Sequence, residues 1–371
     1  MPHHVQREIR YNFEYEKRLK ACFIGAGGHA YRNVYPTFRY APVDLVAICD
    51  LDQGRAEGFA RVFGGERTYS DHREMLAAEK PDAVFIVTNY TEDGHVRATA
   101  LAGDCVRAGA HVWMEKPTAA SRQEVEQLKE LSRTNGRQIM TGLKKTFFPA
   151  VEKLKDIISA PEFGPLSALT VRYPQSLPPP AERGDLVAMQ SFIDHIYHPG
   201  SIIHYLAGPI ERATFEWSPV TGGTVTALRF ASGAIGTLHF SAGASWSGPL
   251  ERIEAIGDGA NAVVENGVKL IHYRRAELPS YGRAASWIQP EESAPLLYEP
   301  EFSLGQLYNN NMFALGYVPE VLHFCEAVLE DRPLTKGTLD TAIEIMKLYD
   351  FYSQTKEGTP ASIGAPGASQ I

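Results

Sequence analysis

The sequence predicts an α/β protein: an N-terminal Rossmann-type doubly wound parallel sheet, followed by an α+β domain with a large open, mainly antiparallel sheet. Three observations lead there. Five short apolar runs alternate with helical patterns between Lys20 and Leu143, the texture of parallel strands buried on both faces. The first run passes directly into Gly25-Ala26-Gly27-Gly28-His29-Ala30, a glycine-rich turn of the dinucleotide-binding type. Beyond Pro149 the spacing becomes that of hairpins, with turn pairs at Ser232-Gly233, Asp258-Gly259 and Asn266-Gly267.

At roughly 100–200 residues per domain, a chain of 371 residues argues for two domains, or one large one. With 44% hydrophobic and 22% charged residues it is too apolar to be disordered. No apolar run reaches the roughly 18 residues of a membrane span. The start, MPHHVQREIRYNFEYEKRLK, lacks the apolar stretch of a secretory signal, so a cytoplasmic protein is expected. A net charge of −8 without basic runs speaks against nucleic acid or an anionic membrane as partner. Cys22, Cys49, Cys105 and Cys325 form no CxxC pair and sit among apolar neighbours, as reduced buried cysteines do.

In chain order, residues 1–18 have no period and read as an arm. KACFIGAG, VDLVAICD, DAVFIVTN, AHVWMEK and RQIMTGL are the five strands, each ending at or near Gly, Asp, Asn or a charged residue. Asp71 with Glu74 opens a helix that runs to Lys80-Pro81. Ser121 and Glu124 form a capping box, with Val125, Leu128 and Leu131 on one face and Asn135-Gly136 as the stop. These elements make residues 19–143 a nucleotide-binding domain. Residues 144–357 make the second domain: a helix from Ala150 to Ser159, the strand SALTVRYPQS, the proline-rich loop LPPPAERGD, and an apolar helix ending at Gly208-Pro209. A hairpin about Ser232-Gly233 follows, then further strands. Residues 275–317 read as irregular, a closing helix pair begins at YVPEVLHFCEAVLED, and residues 358–371 read as a flexible tail.

The glycine turn has the form GxGxxA. Gly25 makes the tight turn, Gly27 lets backbone approach a pyrophosphate, and Ala30 allows close packing of the next helix. Free N–H groups across Gly27, Gly28 and His29, with the helix dipole, favour the anion. The second strand ends at Asp50, twenty-five residues after Gly25; a carboxylate there accepts from an adenosine ribose diol and repels a 2′-phosphate. NAD is therefore expected over NADP, although Arg55 lies close by in sequence. The alternative for Asp50 is a helix or turn cap.

Taken together, GAGGHA (25–30), AICD (47–50), VTN (87–89), EKP (115–117) and DHIYH (194–198), with Gly208 and the closing helix pair, resemble the Gfo/Idh/MocA family of sugar and inositol oxidoreductases. The likeness spans about residues 20 to 355. It implies a nicotinamide cofactor on the first domain and a substrate held between that cofactor and the second domain's sheet. It also implies that Lys116 is the active-site lysine, that Asp194 and His198 are the aspartate–histidine pair, and that Asn89 and Glu115 lie near the nicotinamide ribose. Pro117 matches a proline often preceded by a cis bond.

The residue chemistry is compatible with those roles. Lys116 ends a parallel strand, where open α/β sheets bind ligands. Asp194 and His198 are spaced i, i+4 on one helical face, so the carboxylate can orient the imidazole and support its protonated form; a purely helix-stabilising pair fits the same spacing. His198 would take a hydroxyl proton while a carbinol hydride passes to NAD, Lys116 donating to the oxygen as charge develops. His195 is a rival base, about 100° round the helix from Asp194.

Several positions depart from the family pattern. Ala188-Met189-Gln190-Ser191 replaces a glycine run, Ser201 stands where relatives often carry Asp, and Lys144-Lys145 stands where they often carry two arginines. Two cations at a helix start oppose its dipole, which raises an anionic sugar (carboxylate, sulfonate or phosphate) as substrate; two solvated lysines or a salt bridge to a glutamate fit equally. Lys144, Lys145, His195, Gln190 and Tyr173 are the candidate substrate contacts. His195, His198 and His204 lack metal-ligand spacing, so no metal is expected. Trp217, Trp246 and Trp287 read as core or as sugar platforms. An NAD-dependent glycosidase, working by transient oxidation, elimination, hydration and re-reduction, is the alternative enzyme; a nucleotide sensor is the third reading. Leu228, Phe230, Leu238 and Phe240 read as an uncovered apolar sheet face, which would call for a homodimer or homotetramer.

Overall fold

A computed structural model describes residues 9–276, 291–299 and 310–363. They fall into two compact units. The first takes the residues up to Lys144 together with Gly316–Ala342; the second takes Lys145 to Leu315 and those from Ile343 onward. Along the chain the helices are α1 (Gln53–Phe63), α2 (His72–Glu79), α3 (Arg97–Arg107), α4 (Arg122–Asn135), α5 (Pro149–Ser159), α6 (Gln190–Ala207), α7 (Asn310–Ala314), α8 (Tyr317–Leu329) and α9 (Leu339–Gln354).

In the first unit, strands β1 (Leu19–Ile24), β2 (Val43–Cys49), β3 (Arg67–Tyr69), β4 (Ala83–Ile86), β5 (His111–Glu115) and β6 (Ile139–Gly142) lie parallel in the order β3-β2-β1-β4-β5-β6. The order reverses between β1 and β4, so the ligand-binding switch point lies beside the glycine turn that leaves β1. Five of these strands are those expected. β3 is the sixth: three residues at the sheet edge, none buried, with no apolar run to mark them. Asp71 caps α2 by accepting from the N–H groups of Arg73 and Glu74, and the Ser121–Glu124 capping box opens α4, which Gly136 ends at φ 61°.

The chain after Ala30 departs from the expectation of a regular helix. A single wide turn (Ala30–Val34) passes into a tight 3₁₀ turn (Tyr35–Arg39), because Pro36 supplies no N–H to continue a helical ladder. The turn packs well: Tyr35 and Phe23 stack at 3.9 Å between ring centroids, and both are buried.

Residues 316–342, read from sequence as part of the second domain, group with the first unit. Phe324 of α8 meets Phe85 of β4 at 5.5 Å, nearly perpendicular. The segment after α8 hydrogen-bonds along β6, with Thr141 N–H donating to the Gly337 carbonyl (2.8 Å) and Leu334 N–H to the Gln138 side chain (2.9 Å). A Cβ at Gly337, whose φ is 66°, would lie 2.7 Å from the Thr141 carbonyl oxygen.

In the second unit, β7 (Ala168–Tyr173), β8 (Ile210–Trp217), β9 (Thr224–Phe230), β10 (Ile235–Phe240), β11 (Arg252–Ile256), β12 (Asn261–Glu265), β13 (Lys269–Tyr273), β14 (Leu296–Tyr298) and β15 (Ala361–Ser362) form one sheet in the order β14-β13-β12-β11-β7-β10-β9-β8-β15. Every pairing is antiparallel except β7 with β10. The hairpin and turn expectations hold, with Gly233, Gly259, Asn266 and Gly267 all at positive φ. Within 275–317, β14 and α7 are ordered elements, while 277–290 and 300–309 lie outside the described residues. Within the stretch 358–371, expected as a flexible tail, Ala361–Ser362 form β15 and pair with β8, while 364–371 lie outside the described residues.

Leu228, Phe230, Leu238 and Phe240 correct the expectation of an uncovered face: all four are buried. Phe240 packs against Phe192 of α6 (5.4 Å) and Tyr352 of α9 (5.3 Å). Strand alternation turns their neighbours outward, and Val225 and Ile235 are about half exposed, at 55% and 52%.

Candidate functional site

The first unit gathers its polar candidates at the carboxyl ends of its strands. Gly25 has φ +112°, and a Cβ there would lie 1.9 Å from the Val87 carbonyl oxygen; only glycine fits. Gly27 and Gly28 differ. A Cβ at either would meet nothing within 4 Å, so no internal contact requires glycine there, whereas an approaching pyrophosphate does. Ala30 is fully buried, as close packing of the turn requires. The residues present therefore fit a dinucleotide.

Of the readings open at Asp50, the turn cap is present and the helix cap is not. Its carboxylate accepts from the N–H groups of Ala26 (2.7 Å) and Asp52 (2.9 Å) and pairs with Arg55 (3.1 Å), while Asp52 caps α1. It thus ties the end of β2 to the glycine turn. Asn89 is exposed in the segment beyond β4.

His29 Nε2 lies 2.9 Å from Glu115 Oε1, and Glu115 Oε2 accepts from the Lys116 N–H at 3.1 Å. The Lys116–Pro117 peptide is cis. Burial alone would raise the Glu115 pKa; the hydrogen bond and charge of His29, then Lys116 and Lys144, bring it below the ordinary carboxylate value. Lys144 Nζ donates to the Tyr317 hydroxyl at 2.7 Å, and the Tyr317 ring stands edge-on to His29. Tyr317 and Glu320, one turn apart on α8, are buried. Neither was singled out from sequence, although a glutamate in the apolar helix YVPEVLHF is itself a signal.

The second unit gathers Lys145, Tyr173, Asp194, His195, His198 and Glu251. Lys145 is buried and its ammonium bonds both carboxylate oxygens of Glu251. Of the readings open at Lys145, the glutamate salt bridge is the one observed. Burial pushes the Lys145 pKa down, against the opposite pull of Glu251. The Lys145 Nζ also lies 5.1 Å from the Tyr173 ring centroid. Tyr173 faces the histidines of α6, at 5.9 Å from the His198 ring and 6.5 Å from His195. Its hydroxyl pKa is pushed up by burial, then by the charges of Glu251 and Asp194. The Asp194 carboxylate lies 3.8 Å from His195 Nδ1, which also meets the Ser191 carbonyl at 2.8 Å. Gln190 begins α6 and is half-buried. Nothing in the sequence marked Glu251, which lies more than a hundred residues from its partner.

Among the described residues no group of three or more His, Cys, Asp or Glu is placed to hold a metal, and no helix is long and apolar enough to cross a membrane. All four cysteines are buried free thiols. Trp217 Nε1 donates to the Leu177 carbonyl, Trp246 is 85% exposed, and Trp287 lies outside the described residues.

Comparison with known proteins agrees with this reading. The family model for the Gfo/Idh/MocA oxidoreductases, NAD-binding Rossmann fold, matches residues 19–143, and that for the Gfo/Idh/MocA C-terminal domain matches 151–263. Myo-inositol 2-dehydrogenase of Thermotoga maritima is 25% identical over 235 residues, 60% of this chain and 68% of that one. Inositol 2-dehydrogenase of Salmonella typhimurium is 25% identical over 217 residues, 57% and 61% respectively. Trans-1,2-dihydrobenzene-1,2-diol dehydrogenase of Mus musculus is 30% identical over 122 residues, 33% and 35%. The latter two matches span less than two thirds of the relative. In fold, the chain resembles an oxidoreductase from Agrobacterium radiobacter solved with NAD+, L-tartaric acid and magnesium (TM-score 0.74, 15% identity, 94% of this chain and 99% of that one). It also resembles an aldose-aldose oxidoreductase from Caulobacter crescentus complexed with glycerol (TM-score 0.70, 16% identity, 93% and 100%). The two matched domains, together with the inositol 2-dehydrogenase relatives, make this chain a member of the Gfo/Idh/MocA family of NAD-dependent oxidoreductases.

Proposed function

We propose that the chain oxidises a secondary hydroxyl of a sugar, inositol or glycoside. NAD, when bound, supplies the hydride acceptor. The observation that carries this is the link between Lys116 and the glycine turn: His29 of the turn holds Glu115, which in turn holds the Lys116 backbone. Lys116 is thereby fixed relative to the cofactor-binding loop. In this reading the Lys116 ammonium donates to the carbinol oxygen as negative charge develops. His198 accepts the hydroxyl proton, with Asp194 one turn earlier on α6 supporting its charged form.

The anionic-sugar reading loses one of its two cations, because Glu251 already balances Lys145. A neutral sugar or inositol is therefore favoured over an anionic one. Two relatives are named as inositol 2-dehydrogenases, which supports a polyol. The test is turnover of neutral and anionic sugars by wild type, Lys116→Ala and His198→Asn. We expect kcat losses of about 100-fold or more in each variant, with NAD affinity retained. Anionic sugars turned over at least as well as neutral ones would overturn the substrate reading, and full activity in Lys116→Ala would overturn the mechanism.

A further inference from the structure

Glu320 is fully buried, yet neither of its carboxyl oxygens meets a hydrogen-bond partner among the described residues. A buried carboxylate in that condition is costly, and the group keeps its proton instead. Burial, then the negative charge of Glu115, push its pKa well above the ordinary carboxylate value, with Lys144 pulling the other way.

Its charged surroundings come from several elements. β5 supplies Glu115, tied to His29, and Lys116 follows it; the turn after β6 supplies Lys144, bonded to Tyr317. On α8 itself, Tyr317 stands one turn before Glu320. The other polar groups of α8 are engaged elsewhere: His323 Nε2 accepts from the Thr335 N–H, and Glu326 pairs with Arg332. Arg39, in the segment packed on α8, is exposed, and Arg32 acts electrostatically on Tyr317. The cluster is thus an anionic Glu115, the cations Lys116 and Lys144, the His29 imidazole, and one stored proton.

The glycine turn leaves β1 and Asp50 ends β2, which gives the adenosine half of a dinucleotide to the β2 side and the nicotinamide half to the β4–β6 side. On that side Glu115 ends β5, Lys144 follows β6, and α8, which carries Glu320, packs on β5. We propose that Glu320 is a charge-compensating residue of the cofactor site: buried, without a hydrogen-bond partner among the described residues, and one turn from the Tyr317 that Lys144 bonds, it gives up its proton when the oxidised, cationic-ring dinucleotide binds and keeps it when the reduced, neutral-ring form binds. The carboxyl O–H breaks, the proton passes to solvent, and no electron moves. The first unit then holds nearly the same net charge with either form. Glu320 is a positioning residue in this role, since it acts through charge on the bound ring. The proposal depends on NAD binding alone and not on the identity of the substrate, so it fails or stands separately from the substrate reading.

The test is proton release on cofactor binding, read with an indicator dye in weak buffer across the neutral and mildly acidic range. The full-length wild type, Glu320→Gln and Glu320→Met are each titrated with NAD+ and with NADH. In wild type we expect NAD+ to release a proton and NADH to release none, with the NAD+ dissociation constant falling by up to about tenfold per pH unit where Glu320 titrates. Both variants should lose the release and the slope. Equal release with NAD+ and NADH in wild type would overturn the proposal without any variant. Release that persists in both variants would overturn it in favour of another group, His29 first. Glu320→Met keeps the apolar packing should Glu320→Gln fold poorly.

Discussion

Lys145 and Glu251 show how a charged residue in the second unit is held. An ammonium that is only 8% exposed is costly by itself, and the carboxylate that meets it removes most of that cost. Glu251→Gln therefore leaves an uncompensated buried cation. We expect it to lower stability by about 3 kcal/mol in chemical denaturation, whereas the double change Lys145→Met, Glu251→Leu should recover most of that loss. A Glu251→Gln protein as stable as wild type would show that the lysine is solvated. At this scale the sequence was legible where a motif fixes the backbone, as at Gly25 and Ala30, and illegible where a partner comes from a distant strand. Glu251 and Tyr317 became visible only once β11 and α8 had folded over the lysines they meet.

At the scale of elements, two glycines of one turn do different work. Gly25 is demanded by the fold, through its φ of +112° and the nearby Val87 carbonyl; Gly27 has open space where a side chain would stand. Gly25→Ala should destabilise the first unit by about 3 kcal/mol or more. Gly27→Ala should leave stability within about 0.5 kcal/mol and weaken NAD binding at least about tenfold, read by cofactor titration beside thermal unfolding. The reverse pattern would remove the phosphate cradle from the account. Periodicity made β1, β2, β4, β5 and β6 readable because each is a continuous apolar run. It missed β3, held at the edge by three partly exposed residues, and the GxGxxA motif implied a helix where the chain makes a wide turn and then a tight one at Pro36.

At the scale of the whole molecule, the sequence placed a boundary near Leu143 but could not show that α8 returns to the first unit. Chain order and spatial membership part here, because the α8 pattern says which face is apolar and not which sheet receives it. The nine-stranded sheet carries a related lesson: alternation marks the apolar face, but the expectation that this face is uncovered fails, because a strand pattern does not show which helices pack on it. Since α6 and α9 do, we propose self-association through the opposite face, where Val225 and Ile235 are exposed. Val225→Lys with Ile235→Lys should reduce the sedimenting mass to that of a monomer; an unchanged mass would place any interface elsewhere. Net oxidation of a secondary hydroxyl, with NAD as acceptor, is what the proposed mechanism requires. Its most direct measurement follows NADH absorbance and product together, with wild type, NAD+ and a panel of inositols, sugars and chromogenic glycosides. We expect one NADH formed for each ketone formed, and a large loss in Lys116→Ala. Aglycone release without NADH accumulation, or tight NAD binding with no turnover of any polyol, would contradict the mechanism.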